Sequence, residues 1–402
     1  MRKQQKEFDL MIYGATSFVG KIMVAYLASL PKDEFTWAIA GRSEAKLKEL
    51  KAELGLQDIS HFVADAKDEK ALGALCDSAN VIVTTVGPYA LYGETLVKLC
   101  AQSGTDYLDL TGEPQWIKVM LDKYEAQAKE SGARIIHCAG FDSIPSDLGV
   151  YLSQRLAIQK TGKPASQIKM RVYKIKGTAS GGTVASILNV LKEAGDNPDL
   201  RKQLVNPYIL CGSDHGFSVR QKNHKKAEYD EALGHWTMPF VMAAINERIV
   251  HRSNALLKGL YGKAFQYDEA MSAKKATTAW GTTMGLGAFV VAASIGPVRN
   301  LLAKYVLPKP GEGPTQEQQD TGMFDLRFYA NLEDGKQQVV QVIGDKDPGY
   351  GSTAKMLSQA ALCLAKDTEG LSGGMWTPAA AMGDALIKRL SAHAGVEVKE
   401  ML

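Results

Sequence analysis

Seven residues near the start of the chain carry its clearest chemical signal. Gly14-Ala15-Thr16-Ser17-Phe18-Val19-Gly20 follows the apolar run Phe8–Tyr13 and precedes the helix-like stretch Lys21–Leu30. A strand that ends in a glycine turn and enters a helix leaves backbone N–H groups unpaired at the helix start, where the macrodipole also favours an anion. A pyrophosphate fits such a place, so the spacing predicts a dinucleotide site. The pattern is G-x-x-G-x-x-G with Ser17 at the middle position. The serine adds a Cβ at the closest approach and a hydroxyl able to donate to a phosphate oxygen. The plainer alternative is a tight turn with no ligand.

The next strand, Phe35–Ala40, ends in Gly41-Arg42-Ser43. A domain built for NAD(H) places Asp or Glu there for the ribose 2′-hydroxyl, and no carboxylate stands at this strand end. Arg42 suits a 2′-phosphate and can stack on adenine, while Ser43 and Lys46 add a donor and a charge. The expected cofactor is NADP(H), with NAD(H) as the alternative. The competing account leaves Arg42 in solvent and has Ser43 cap the helix Glu44–Leu54. Asp65, past the third strand, either accepts from the adenine amino group or caps the next segment. Val86-Gly87-Pro88 after the fourth strand and Gly112 after the fifth fall at the same sheet edge as Gly14. That edge takes the nicotinamide half of a dinucleotide, so these residues are read as its wall, with simple turn chemistry as the alternative.

Hydride transfer needs an acceptor carbon held about 3–3.5 Å from the nicotinamide C4 and a proton donor at the other end of the reduced bond. Gly140-Phe141-Asp142-Ser143-Ile144-Pro145-Ser146-Asp147 follows the sixth strand and offers two carboxylates and two serine hydroxyls. Asp142 is a candidate to orient or supply the proton, and Ser143 to polarise a carbonyl. The alternative has Ser146 and Asp147 cap the helix Leu148–Leu156, which is the better reading for Asp147. Tyr89 is the third candidate, with Tyr92 and His137 behind it.

These residues need a sheet to hold them. Strands at Ile59–Val63, Val81–Thr85, Asp106–Leu110 and Arg134–His137 alternate with helical segments at Asp68–Asp77, Gly93–Ser103 and Pro114–Ser131. Apolar strands alternating with helices imply a parallel sheet covered on both faces, in the order 3-2-1-4-5-6. The fold class is α/β: a Rossmann-type doubly wound parallel sheet with a second, α+β domain. That second domain is expected over 146–352, with a strand at Met170–Ile175, a helix at Thr183–Glu193 and a hairpin of Met323–Ala330 with Gln337–Ile343. From Tyr350 onward the pattern is helical, with no strand signal in Thr353–Ala365 or Pro378–Ala392.

Composition excludes several classes. The 402 residues are 45% hydrophobic and 23% charged with a formal net charge of +3, an ordinary globular balance at a length that suits two domains. No basic run interleaved with aromatics occurs, so nucleic acid is not an expected partner. Cys76, Cys100, Cys138, Cys211 and Cys363 lack metal-type spacing and read as buried thiols of a reducing, cytoplasmic compartment. His215, His224, His235 and His251 lack ligand spacing, so no metal is expected. No Gly-x-Ser-x-Gly elbow occurs, and Met1–Glu7 is polar with no room for a secretory signal.

One segment departs from this picture. Ala276–Val298 contains no formal charge and is flanked by Lys274, Lys275 and Arg299. Its length would span a bilayer, yet it is rich in Gly, Thr and Ala and broken near Pro297. A buried or oligomer-interface helix, as in a homodimer, is the first expectation, a lipid-contacting surface the second and a true span the third.

The residues resemble the saccharopine dehydrogenase-like oxidoreductases and, within them, the trans-acting enoyl reductases. The stretches that carry this are AIAGRSEAKL from Ala38, TTVGPYALYGETLV from Thr84, GTDYLDLTGE from Gly104 and CAGFDSIPSDLGV from Cys138. Others are GGTVAS from Gly181, PKPGEGPTQEQQDTGMF from Pro308, DPGYGSTAKML from Asp347 and GGMWTPAAAMGDALIKRL from Gly373. The resemblance implies C-terminal helices that pack back on the nucleotide domain, making it 1–145 completed by 353–402, with 146–352 for substrate or dimerisation. It also implies reduction of a C=C bond on a lipid or polyketide-type acyl chain, in contact with lipid. A saccharopine-type C=N reductase is the alternative within the enzymes, and a non-catalytic nucleotide-binding protein at a lipid surface the alternative outside them.

Overall fold

The computed structural model describes residues 6–31, 33–177, 181–305 and 313–401. Residues 308–312 of the stretch that begins at Pro308, and Leu402, lie outside the described residues. The chain divides into two units: Met1–Ile144 with Pro310–Gly313 and Gly349–Ala394, and Pro145–Lys309 with Pro314–Pro348 and Gly395–Leu402.

From the amino end the elements are β1 (Phe8–Tyr13), α1 (Phe18–Ala28), β2 (Trp37–Gly41), α2 (Glu44–Glu53), β3 (Ser60–Val63) and α3 (Glu69–Ser78). There follow β4 (Ala79–Thr84), α4 (Tyr89–Tyr92), α5 (Glu94–Ser103), β5 (Asp106–Leu108), α6 (Pro114–Ser131) and β6 (Arg134–Ile136). Next come α7 (Ile144–Thr161), β7 (Gln167–Lys176), α8 (Gly181–Asp196), α9 (Pro198–Val205), β8 (Glu228–Asp230), β9 (His235–Met238) and α10 (Ala243–Leu256). Then β10 (Gln266–Ala273), α11 (Ala276–Ser294), α12 (Gly296–Tyr305), α13 (Gln316–Asp320), β11 (Met323–Asn331) and β12 (Gln337–Gly344). The chain closes with α14 (Gly351–Lys366), β13 (Gly374–Trp376), α15 (Pro378–Arg389), a π turn at Leu390–Ala394 and β14 (Val396–Glu400).

The first unit holds a parallel sheet in the order β13-β6-β5-β4-β1-β2-β3. Its central strands are apolar on both sides: Leu10, Met11, Ile12, Val81, Ile82 and Val83 are all buried, as a sheet with helices on each face requires. The order contains the expected 3-2-1-4-5-6 and adds β13 beyond β6. This strand is only Gly-Met-Trp, too short to show alternation, and it forms by pairing with Arg134–Ile136. Helix α14 is buried along most of its length.

The second unit holds a mixed sheet in the order β14-β12-β11-β7-β10-β9-β8. Among the described strands of this sheet only β7 and β10 pair in parallel, and β11 and β12 form the expected hairpin. The tail differs from the helical expectation. Val396 and Val398 turn inward while Glu397 and Lys399 face out, so Val396–Glu400 is a strand, antiparallel to β12. A charged, period-two pentapeptide at a sheet edge is how proteins guard an exposed strand.

Candidate functional site

The first unit places the carboxyl ends of β1 to β6 along one edge. After the parallel neighbours β1 and β4 the chain passes to opposite sides, to β2 and to β5, and the crevice at such a switch point is the usual seat of a dinucleotide.

Gly14 ends β1 with φ +87°, and its N–H and that of Ala15 donate to Ala40 O at 2.9 and 3.1 Å. A Cβ on Gly14 would stand 2.7 Å from Thr85 Oγ1 and 2.8 Å from Val86 Cγ2. One on Gly20 would stand 2.2 Å from the Gly14 carbonyl oxygen. The two glycines therefore let the first turn of α1 lie directly against the strand end, which brings helix-start amides to the crevice. Ser17 is the N-cap of α1 and accepts from Gly20 N at 2.9 Å. Thr85 Oγ1 donates to Gly14 O at 3.0 Å, so the Ser17 proton goes to Thr85 Oγ1, 2.8 Å away. The hydroxyl expected to reach a phosphate thus holds the turn together. Thr16 precedes the cap, and among the described residues the amides of Phe18 and Val19 are the first-turn donors that an anion can take.

Gly41 ends β2, where a Cβ would meet only the Leu47 side chain and Thr16 Oγ1 at ordinary contact distances. Arg42 beside it is exposed, with no carboxylate paired to it among the described residues. Ser43 caps α2, accepting from Lys46 N at 3.4 Å, and Lys46 is exposed. The cap and the free Arg42 coexist, so one account does not displace the other. Asp65 is exposed and accepts from Lys67 N at 3.0 Å in its own turn, whereas the cap of α3 is Asp68.

Val86-Gly87-Pro88 follows β4, and the Gly87–Pro88 peptide is cis. Tyr89 is buried; its phenol donates to Thr84 O at 3.0 Å and accepts from Leu110 N at 3.1 Å. Burial pushes that phenol well above its ordinary pKa. Tyr89 is therefore a brace between two strand ends and holds its proton firmly. Glu113 completes the brace, accepting from Tyr89 N and Ala90 N at 3.0 and 3.2 Å.

A second cluster lies at the ends of β5 and β6. Asp109 is fully buried and accepts from His137 Nδ1 at 2.7 Å, Tyr107 OH and Thr111 N at 3.0 Å, and Cys138 N at 3.1 Å. The other nitrogen of the His137 ring, Nε2, is buried and unpaired among the described residues. Asp142 stands beside this cluster, its Oδ2 4.0 Å from where a Cβ on Gly112 would be. Desolvation, and then the charge of Asp109, push the Asp142 carboxyl up to about 7. It keeps some access to solvent, while Ser143 is fully buried. The structure thus gathers Gly14, Val86, Gly87, Gly112 and Asp142 along one edge, and sets Arg42 and Asp65 at the β2 and β3 ends of it.

Asp109 and the bracing role of Glu113 have no motif of their own in the sequence. Both stand in the Gly104–Glu113 stretch, and the signal available was two carboxylates at the end of a strand that already carried Gly112.

The fold and this edge define a nucleotide-dependent oxidoreductase. Residues 10–136 match the family model described as the saccharopine dehydrogenase NADP binding domain. A Mycobacterium tuberculosis protein named provisionally as a trans-acting enoyl reductase is 40% identical over 99% of both chains. Trans-acting enoyl reductases of Mycobacterium bovis and Mycobacterium leprae are 38% and 37% identical, over 97% and 99% of each chain. The apo saccharopine dehydrogenase (L-Glu forming) of Saccharomyces cerevisiae shares the fold, with a TM-score of 0.57 at 14% identity over 98% of this chain and 99% of that one. The homospermidine synthase of Legionella pneumophila, solved with NAD, does so at 0.53 and 9% identity over 100% and 93%. The chain belongs to the saccharopine dehydrogenase-like oxidoreductases, in the branch of the trans-acting enoyl reductases.

Proposed function

We propose that the protein is an NADPH-dependent reductase of a C=C bond conjugated to an acyl carbonyl, on a lipid or polyketide-type chain, with Asp142 as proton donor. The observation that carries it is the Asp142 carboxyl beside Gly112, its pKa pushed up to about 7 by desolvation and by Asp109, at the edge expected to take the nicotinamide. When bound, the cofactor supplies a hydride to the β-carbon of the enoyl group. Asp142 delivers a proton to the α-carbon, so the double bond becomes single and the carboxylate left behind recovers a proton from solvent. Asp109 sustains the donor: its charge disfavours a second carboxylate next to it, while four donors hold Asp109 in place. The amides of Phe18 and Val19 take the pyrophosphate, Arg42, Ser43 and Lys46 the adenosine 2′-phosphate, Asp65 the adenine side, and Val86–Pro88 and Gly112 the nicotinamide wall.

The C=N alternative is less well served. A saccharopine-type substrate carries several carboxylates and needs converging cations, whereas 109–113 and 137–143 contain Asp109, Glu113 and Asp142 and no Lys or Arg. An uncharged enoyl group suits that edge better, and an acyl substrate brings with it contact with lipid.

Cofactor choice is tested on Arg42. Arg42→Ala should cost about 1.5–3 kcal/mol of NADPH affinity, the range of a charge-assisted contact, and much less for NADH. Titration by nicotinamide fluorescence reads both; equal losses, or tighter NADH binding by the unaltered protein, would remove NADPH from the proposal. Substrate class is tested by NADPH oxidation with a 2-enoyl thioester against a keto acid plus amine, and consumption only with the second pair would replace C=C by C=N.

A further inference from the structure

Helices α11 and α12 leave more apolar surface uncovered than a self-contained domain needs. Ala276–Ser294 packs on the second unit through Ala279, which joins Ala227, Met238 and Ala273, and through Ala293. Thr283, Leu286, Phe289 and Ala292 are half-buried, while another side of the helix faces outward: Met284 is 70% exposed, Val291 64% and Trp280 45%. These recur at i, i+4 and i+11, one stripe of the helix. Val290 opens a second direction, and Ile295 and Leu301, the latter 58% exposed, continue the apolar surface onto α12. The two axes bend by 113°, and no described helix alone is long and apolar enough to cross a membrane. Two of the five hydroxyls of α11, Thr283 Oγ1 and Ser294 Oγ, donate to Ala279 O and Val290 O at 2.8 Å, and Thr277, Thr278 and Thr282 are exposed.

Charge selects the occupant. Between Glu269 and Glu312 the chain has no carboxylate, and its cations are Lys274, Lys275, Arg299, Lys304 and Lys309. Lys274 and Lys275 are exposed at the foot of α11, and Arg299 lies on α12. A second copy on this face would set the same cations against one another, whereas an anionic bilayer surface attracts them at the depth where phosphate headgroups meet acyl chains.

We propose that the α11–α12 elbow is an in-plane anchor that lays its apolar surface into an anionic membrane leaflet. This deepens the acyl-reductase reading, and rests on it, by naming the surface at which the substrate is met.

Because Met284 and Val291 are exposed, charged residues there should leave the fold intact, which makes the test direct. The probes are vesicles of phosphatidylcholine alone and of phosphatidylcholine with phosphatidylglycerol, with the full chain, read by flotation. The unaltered protein should float with the anionic vesicles and lose most of that binding at high salt. Met284→Glu with Val291→Glu should lower binding at least tenfold, and Lys274→Glu with Lys275→Glu should erase the preference for anionic lipid, both with NADPH affinity unchanged. Equal flotation of the M284E/V291E variant overturns the anchor. So does an unaltered protein that ignores vesicles but sediments as a dimer which the same variant dissociates, since the face then meets a second copy. NADPH oxidation with a soluble enoyl thioester is measured alongside, so loss of the anchor and loss of the reductase reading are told apart.

Discussion

Asp142→Asn should lower the turnover of an enoyl thioester by about 10²–10⁴-fold, the usual contribution of a general acid, while NADPH binds as before. Asparagine keeps the size and a hydrogen-bonding group but has no acidic proton to give. The pH profile makes the prediction specific. With the Asp142 carboxyl pushed up to about 7, the protonated, active form dominates below that pH, and turnover falls as pH rises through it. In the variant that limb should vanish. Asp109→Asn removes the neighbouring charge, so the surviving limb should move to lower pH. Stopped-flow absorbance of NADPH between pH 5 and 9 reads all three proteins. An Asp142→Asn enzyme with normal turnover and an unchanged limb would move the proton donor elsewhere.

Gly20→Val and Gly14→Val should each abolish nucleotide binding, by different routes. A Cβ at Gly20 meets a backbone oxygen at 2.2 Å, and backbone at a strand end cannot swing aside as a side chain can. The start of α1 must move away from β1, taking the Phe18 and Val19 amides out of register with a pyrophosphate. At Gly14 the added side chain meets Thr85 and Val86 and the residue must also hold φ +87°. Crowding costs roughly 1–3 kcal/mol at either site, and at Gly14 the positive φ adds roughly 1–3 kcal/mol of strain. Thermal melting should fall for both variants, with NADPH titration flat in the folded fraction. Gly73→Ala on α3 is the control, since nothing stands within 4 Å of its Cβ and it lies away from the sheet edge, and it should bind normally. A folded Gly20→Val protein with unchanged affinity would place the cofactor away from this turn.

What the sequence shows and what it hides follow from the range of the interactions. The parallel sheet was legible because six apolar runs alternate with helical segments, and because a Gly turn and a strand-end Arg are local signals. The Ser17–Thr85 bond is not legible in the sequence because Thr85 is 68 residues away, at the end of another strand. The Asp109–His137 pair was hidden for the same reason, its members lying 28 residues apart on neighbouring strands. Tyr89 looked available as a phenol until both sides of its hydroxyl were seen bonded to backbone. The strand β13 has no pattern of its own and exists by pairing with β6, so only tertiary structure reveals it. By contrast Val396-Glu397-Val398-Lys399-Glu400 carries clear alternation and could have been read as a strand. The apolar segment was found by composition, but its exposure was not, because composition alone does not distinguish a core helix from one that faces outward.

The central claim, hydride addition to an enoyl carbon with a proton from Asp142, is tested most directly by following labelled hydrogen. NADPH carrying deuterium at the transferred C4 position, incubated with the protein and a 2-enoyl thioester in ordinary water, should yield a saturated product one mass unit heavier, labelled at the β-carbon alone. Unlabelled NADPH in D₂O should place deuterium at the α-carbon alone. Products with this distribution, lost in Asp142→Asn, support the account. Nucleotide binding without saturated product from any enoyl thioester, or label passing only to an imine carbon, would contradict it.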